Sequence, residues 1–450
     1  MMTTDACPPS ICRAPECGEW ISCDVCGQWF HQPCVGVNPQ SVAEIVAYHC
    51  TNCETKHGPS VTARKSKRSK SKIDYQALDR GETFAVPKLW HPHISRLLAF
   101  QNQDDVSVTV IADAKEFTTA TPRDRPLLIP QGQSQLEALG MAIPKSFTID
   151  DITNSVGDDT AVEVMDVLTQ QGVPGWKLGR WRDYFKSDTR DRIRNVISLE
   201  ISDSSLGQQF QRPLVVRESD LVDRVWPGPE PRPKITTYCL MSVKDSFTDF
   251  HIDFGGTSVY YTVFKGGKHF LFYPPTEENL ICYTQWCLDK DQNYTWFGDY
   301  STMHKRRTIK PKGGFKVELT KGDVFFIPSG WIHAVYTPED SLVIGGNYLT
   351  EQDVAMQLRI CAVEEATHVP LKYRFPQFDQ VMWLTSNWLL QNKQSEEVDD
   401  DVVEALIQHH KAQVETKGKS LRLPKAITDA TSHIAQLEQL RKIKVESDDT

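Results

Sequence analysis

The sequence predicts a multidomain chain: a small zinc-bound finger, a double-sheet β barrel of the jelly-roll type with an α/β lead-in, and a C-terminal helical cap. Three observations carry this reading. Eight of the twelve cysteines fall before residue 54. Seven short strand-like runs separated by turn residues lie between positions 196 and 348, the pattern of a jelly roll. After residue 350 the apolar spacing becomes helical. The expected spans are 1–57 for the finger, 58–80 for a basic linker, 81–350 for lead-in and barrel, and 351–450 for the helical region.

A length of 450 residues fits two or three domains. No apolar run approaches the ~18 residues of a membrane span, and the N-terminus lacks the basic-then-apolar order of a secretory signal, so an intracellular protein is expected. Crowded cysteines in such a chain argue for zinc rather than disulfides. The net charge of −9 argues against a surface that binds nucleic acid all over.

The finger carries Cys23-x2-Cys26, His31-x2-Cys34 and Cys50-x2-Cys53. Zinc takes four nitrogen or sulfur ligands, and a region this small has too little apolar surface to fold unaided, so metal binding would supply the folding energy. The linker contains RKSKRSKSK, Arg64 through Lys72, with six cations and no acid. Such a run repels itself and cannot bury a core; it suits a spacer, a nuclear import signal or a DNA phosphate contact.

In the lead-in, residues 149–157 read as a helix with an Asp-rich start and 161–168 as a strand. His91 and His93 flank Pro92 on no helix or hairpin face and are expected at the surface. Strands are expected at 196–201, 238–243, 257–264, 268–273, 323–328, 334–337 and 341–348, with Gly266-Gly267 as a hairpin turn between the third and fourth. Residues 276–312 read as a long polar and aromatic loop over the barrel mouth, with Cys282 and Cys287 as ordinary thiols. Beyond, Thr350-x2-Asp353 suggests a capping box opening a helix, and further helices are expected at 378–391, 402–414 and 425–441. Ile427, Ala430, Ile434 and Leu437 form an apolar stripe on the last, as expected of a cap bracing the barrel.

The chemistry concentrates in TDFHIDFGGTSVYYTVFKGGK at residues 248–268. If His251 and Asp253 alternate along a strand, both side chains reach one metal ion. His333, in IPSGWIHAV, is the expected third ligand on a strand folded back against the first. Two imidazoles and a carboxylate on one face of an octahedron form the facial triad of iron(II) oxygenases, leaving positions for a bidentate cosubstrate and dioxygen. Lys268 and Thr248 are placed to hold the far carboxylate of a dicarboxylate cosubstrate.

HIDFGGTSVYY, Lys268, IPSGWIHAV, GGNYL at 345–349, NVISLEIS at 195–202 and YCLMSVKDSFTDF at 238–250 together resemble the JmjC-domain histone lysine demethylases, in the branch with an N-terminal PHD finger. The resemblance covers most of residues 1–365. It implies iron(II) on His251, Asp253 and His333, with 2-oxoglutarate and dioxygen as cosubstrates. It further implies contacts to 2-oxoglutarate or its pocket from Thr248, Lys268, Tyr261, Asn347 and Asn195, and loss of an N-methyl group as formaldehyde.

For the finger, the resemblance implies two zinc ions with interleaved ligands: Cys23, Cys26, Cys50 and Cys53 on one, His31 and Cys34 on the other. The sequence departs from the family at the first pair, where the candidates Cys7, Cys12 and Cys17 are each separated by four residues. Cys7 with Cys12 is favoured, because Cys17 leaves only five residues before Cys23. Trp29 stands where methyl-lysine readers carry a cage aromatic, and Trp20 is a candidate second wall; the implied ligand is trimethylated lysine 4 of histone H3. The resemblance to the compact fungal members favours removal of mono- or dimethyl marks from lysine 36 of histone H3, in the nucleus and on nucleosomes. Two other classes share parts of this pattern, a non-catalytic chromatin reader and a JmjC protein hydroxylase.

Overall fold

The computed structural model describes residues 7–8, 11–12, 19–37, 42, 45–62, 90–103, 107–228, 230–392 and 398–448. The run from Arg64 to Lys72, and Cys17, lie outside the described residues. The chain divides into two compact units, Met1–Ala85 and Val86–Thr450.

In the first unit, strands β1 (Trp20–Ser22) and β2 (Trp29–His31) form an antiparallel ribbon. A second ribbon pairs β3 (Ile45–Ala47) with β4 (Val61–Thr62). The linker expected from residue 58 therefore yields its first residues to the finger. Ile21 and Phe30 are buried with Cys7, Cys23, Tyr48 and Cys50, a core too small to stand alone.

The second unit is built on two sheets. The larger runs β5 (Thr109–Val110), β6 (Leu127–Ile129), β17 (Val324–Ile327), β12 (Ser258–Lys265), β19 (Ser341–Tyr348), β10 (Tyr238–Ser242), β9 (Arg194–Glu200), β7 (Val164–Asp166), β8 (Gln171–Val173). The smaller runs β11 (Phe247–His251), β18 (Ile332–Tyr336), β13 (Lys268–Tyr273), β16 (Phe315–Leu319). Val259, Tyr261, Phe270, Phe272, Phe325 and Trp331 from both sheets share one buried cluster, the barrel interior. Each of these strands alternates an inner and an outer face, as period-two side chains require.

Several expectations need correction. Gly266-Gly267 is not a hairpin turn: β12 pairs with β17 and β19, β13 with β16 and β18, so the glycines carry the chain from one sheet to the other. Residues 276–312 are not a loop throughout. Thr276 caps a helix at Glu277–Leu288, its side chain accepting from the Asn279 amide, and Leu280, Cys282 and Trp286 bury against the outside of the smaller sheet. A two-stranded ribbon, β14 (Thr302–His304) with β15 (Arg307–Ile309), follows. Short capping signals and irregular apolar spacing hid this helix. His91 and His93 are buried, 1% and 4% exposed, because the helix His93–Ala99 packs behind β11. Burial pushes the His91 imidazole down to about 4.

Thr350 and Asp353 bond side chain to side chain at 2.5 Å, and the helix Val354–Ala366 begins only after Asp353; the pair fastens the approach and is no capping box. The last helix, Ala430–Asp448, starts after the expected residue 425. It packs with Phe378–Asn392 and Asp400–Lys417 into a core that includes Leu349 and Ile235 from the barrel side, the bracing arrangement expected. The helix Ile149–Val156 forms as read, with a reciprocal capping box between Thr148 and Asp151.

Candidate iron and 2-oxoglutarate site

Strand β11 places Thr248 and His251, and its partner β18 places His333. The register runs Thr248↔Val335 and then His251↔His333, three steps on β11 against two on β18. This one-residue bulge sends Thr248 and His251 to the same face, which strict alternation would forbid. Asp253 reaches the site by a route other than strand alternation. β11 ends at His251, and Asp253 precedes a short 3-10 turn, Phe254–Gly256. Gly255 and Gly256 have φ of +62° and +61°; a Cβ on Gly255 would meet Phe375 at 2.8 Å, so the sharp turn needs glycine.

His251, Asp253 and His333 each offer a donor atom, all within 4.8 Å of one another. His333 Nε2 lies 3.8 Å from Asp253 Oδ2. Each ring is aimed by its other nitrogen: His251 Nδ1 donates to Asp249 O at 2.9 Å and His333 Nδ1 to Trp331 O at 3.1 Å. Carbonyls only accept, so each Nδ1 carries a proton and each Nε2 is the nitrogen turned toward the site. Burial, with His251 adding to it, pushes His333 well below the ordinary imidazole value and keeps it a neutral donor. Burial raises the Asp253 carboxyl, opposed by His251. Two imidazoles and a carboxylate suit a divalent transition ion.

Lys268 is 2% exposed. Its Nζ donates to Ser242 Oγ at 2.6 Å and Thr337 Oγ1 at 2.8 Å, and no carboxylate among the described residues neutralises it. Burial drives its ammonium down to about 7. A buried cation lacking a counter-anion is costly, and a bound carboxylate would supply the missing charge. Asn195, 2% exposed, donates to Thr248 Oγ1 at 3.4 Å while its own Oδ1 has no partner. Tyr261 is buried, and burial together with Asp253 raises its phenol, which stays protonated as a donor. Asn347 donates to Thr257 Oγ1 at 2.7 Å. Sequence reasoning missed Ser242 and Thr337, which carry no motif of their own.

Three family models match: a PHD-finger over residues 9–53, a cupin-like domain over 176–354 and a Jumonji helical domain over 352–444. Among relatives, the JmjC domain-containing histone demethylation protein 1 of Debaryomyces hansenii is 56% identical over 396 residues, 85% of this chain and 76% of that protein. Its namesake in Saccharomyces cerevisiae is 37% identical, over 87% of this chain and 90% of that protein. The chain belongs to the PHD-finger JmjC histone demethylases. Histone lysine demethylase PHF8 of Danio rerio is also 37% identical, over 84% of this chain and 36% of its own length.

The demethylase is thus a 2-oxoglutarate-dependent dioxygenase, and its cupin fold implies iron(II). When bound, the iron supplies the oxidising chemistry, and the protein's share is to place groups around it.

In the finger, the structure gathers Cys23, Cys26, Cys50 and Cys53 into one cluster and Cys7, Cys12, His31 and Cys34 into another. Cys12 Sγ lies 3.5 Å from His31 Nδ1, and Cys26 and Cys50 Sγ are 3.9 Å apart. Two sets of four soft donors fit two zinc ions. Trp20 pairs across from His31, and Trp29 lies two residues before it, so both indoles project from one face of the ribbon, 38% and 44% exposed.

Proposed function

We propose that this demethylase removes mono- and dimethyl groups from histone H3, with lysine 36 as the target, while its finger holds trimethylated lysine 4 of the same histone. His251, Asp253 and His333 hold the iron in this reading. Lys268, with Thr248 and Asn195 beside it, takes the distal carboxylate of 2-oxoglutarate, with Tyr261 and Asn347 lining the pocket. Zinc is held by Cys7, Cys12, His31 and Cys34, and by Cys23, Cys26, Cys50 and Cys53. The observation that carries the enzymatic part is the buried, uncompensated charge of Lys268 in the same barrel as the convergent His251–Asp253–His333 donors. The exposed pair Trp20 and Trp29 supports the reader, since a quaternary ammonium is attracted to indole faces. The lysine 36 assignment rests on the resemblance to compact fungal members. A nucleosomal substrate would put the enzyme in the nucleus, where the Arg64–Lys72 run would contact DNA phosphates.

Incubation of the full chain with iron(II), 2-oxoglutarate, ascorbate and a panel of methylated histone H3 and H4 peptides tests this. Loss of one CH2 from the lysine 36 peptide is the expected result. Loss from another lysine would move the target, gain of one oxygen would make the chain a hydroxylase, and binding without mass change would make it a reader.

A further inference from the structure

The bulge in β11 has an external brace. Asp249 and Phe250 both project to the outer side of the smaller sheet, Phe250 against Trp286 and Trp296 and Asp249 against His93. The amides freed by the bulge are taken up there: Phe250 N donates to Asp249 Oδ1 and Asp249 N to Gln170 Oε1, each at 2.9 Å. Gln170, held at φ +54°, also donates through Nε2 to Phe247 O at 2.9 Å. His93 Nδ1 lies 3.3 Å from both carboxylate oxygens of Asp249. His93 is set in turn by its own amide, which donates to His91 Nδ1 at 3.2 Å, and the His91 ring stacks on Phe247. His91, His93 and Asp249 are all more than nine-tenths buried.

A bulge leaves one residue unpaired in the ladder, and buried unpaired amides are costly, so this conformation persists only where side chains satisfy it. The same two residues decide the metal site. Asp249 O is the acceptor that aims His251, and the extra residue is what turns His251 inward beside Thr248. We propose that Asp249, clamped by His93, is a positioning residue for the iron centre: it holds the bulge in β11 that points His251 Nε2 at Asp253 and His333. The inference rests on the reading of those three residues as metal ligands.

The test uses zinc-loaded full chain titrated with Mn(II), the free ion being counted by its electron paramagnetic resonance signal; oxygen and nitrogen donors take Mn(II) in preference to thiolates, so the finger is silent. Asp249→Ala is expected to weaken Mn(II) binding about 10- to 100-fold with circular dichroism unchanged. Asp249→Asn, which keeps the acceptor for the Phe250 amide, is expected to restore most of the affinity, and His93→Ala to fall between. Should Asp249→Ala unfold, Gln170→Ala and His93→Ala, each expected to weaken binding by less, carry the test. Parental affinity in folded Asp249→Ala and His93→Ala overturns the brace. A second Mn(II) equivalent that vanishes with His93→Ala overturns it in favour of a metal site on His91, His93 and Asp249. Parent protein that binds no Mn(II), or binds it equally after His251→Ala, removes the metal-ligand reading itself and the brace with it.

Discussion

His251 and His333 face each other across β11 and β18 with ring centroids 4.3 Å apart, each ring tied through Nδ1 to the backbone carbonyl two residues before it. Two rings fixed in this way present their Nε2 atoms without rearrangement. Removing either one should therefore empty the site and leave the barrel standing.

His251 is half-buried and makes its hydrogen bond at the end of a strand, so His251→Ala should leave folding intact and abolish demethylation. The check is product formation by mass spectrometry alongside circular dichroism. Full turnover in the folded variant would dismiss the ligand set.

Lys268 predicts a proton signature. The free protein holds its ammonium down at about 7, whereas the unfolded chain keeps the ordinary value near 10.5. The unfolded state binds the extra proton between these values, so the free barrel gains stability as pH rises from about 7 to about 10.5. A bound dicarboxylate restores the charge, so 2-oxoglutarate binding at pH 8 should take up a proton. Calorimetry in two buffers of different ionisation enthalpy reads this directly, and identical heats would refute it. Lys268→Met should raise thermal stability and cost about 2–5 kcal/mol of 2-oxoglutarate affinity.

Trp29 is 44% exposed and contributes little to the finger's core, so Trp29→Ala should fold normally. Affinity for a trimethyl-lysine-4 peptide should drop by about 0.5–2 kcal/mol, the span of one cation–π contact. Unchanged affinity in a fluorescence titration would withdraw the cage.

The helical region should be acid-labile. Burial drives His410 down to about 2, with His409 and His433 adding to the shift and Asp379 opposing it; burial also lowers His433. Both rings bond to Ser386 Oγ, at 3.0 and 2.8 Å, and His410 stacks on Trp383. Folded imidazoles that resist protonation stabilise fully above the unfolded value of 6.5, and that stability is lost as pH falls below it, by about 1.4 kcal/mol per pH unit for His410 and in the same direction for His433. Thermal midpoints should decline between pH 6.5 and 5, less steeply in His410→Gln; equal slopes would remove these histidines as the cause.

The candidate metal donors were legible in the sequence because ligands are few in type and their spacing is short: Cys-x2-Cys, His-x2-Cys and His-x-Asp all announce themselves. Seven of the barrel strands were legible as short apolar runs between turn residues, whereas β11 and β16 were not among the expected spans. The helix Glu277–Leu288 was not, since its buried face is a discontinuous set of Leu280, Cys282 and Trp286 meeting side chains some thirty residues upstream. The spacing of three between Thr248 and His251, both assigned inward, already implied the bulge, and no other sequence signal pointed to Asp249, His93 or Gln170.

Local chemistry by itself determined which side chains could bind metal, where a small finger and a barrel would form, and that an unusual lysine stood near the site. Tertiary structure alone decided that Asp253 arrives from a turn, that Gly266-Gly267 joins two sheets, and that His91 and His93 lie inside, 156 residues from the Asp249 that His93 grips. The reason is physical. Burial and long-range pairing depend on which surfaces meet, and a one-residue register change inverts every side chain that follows it.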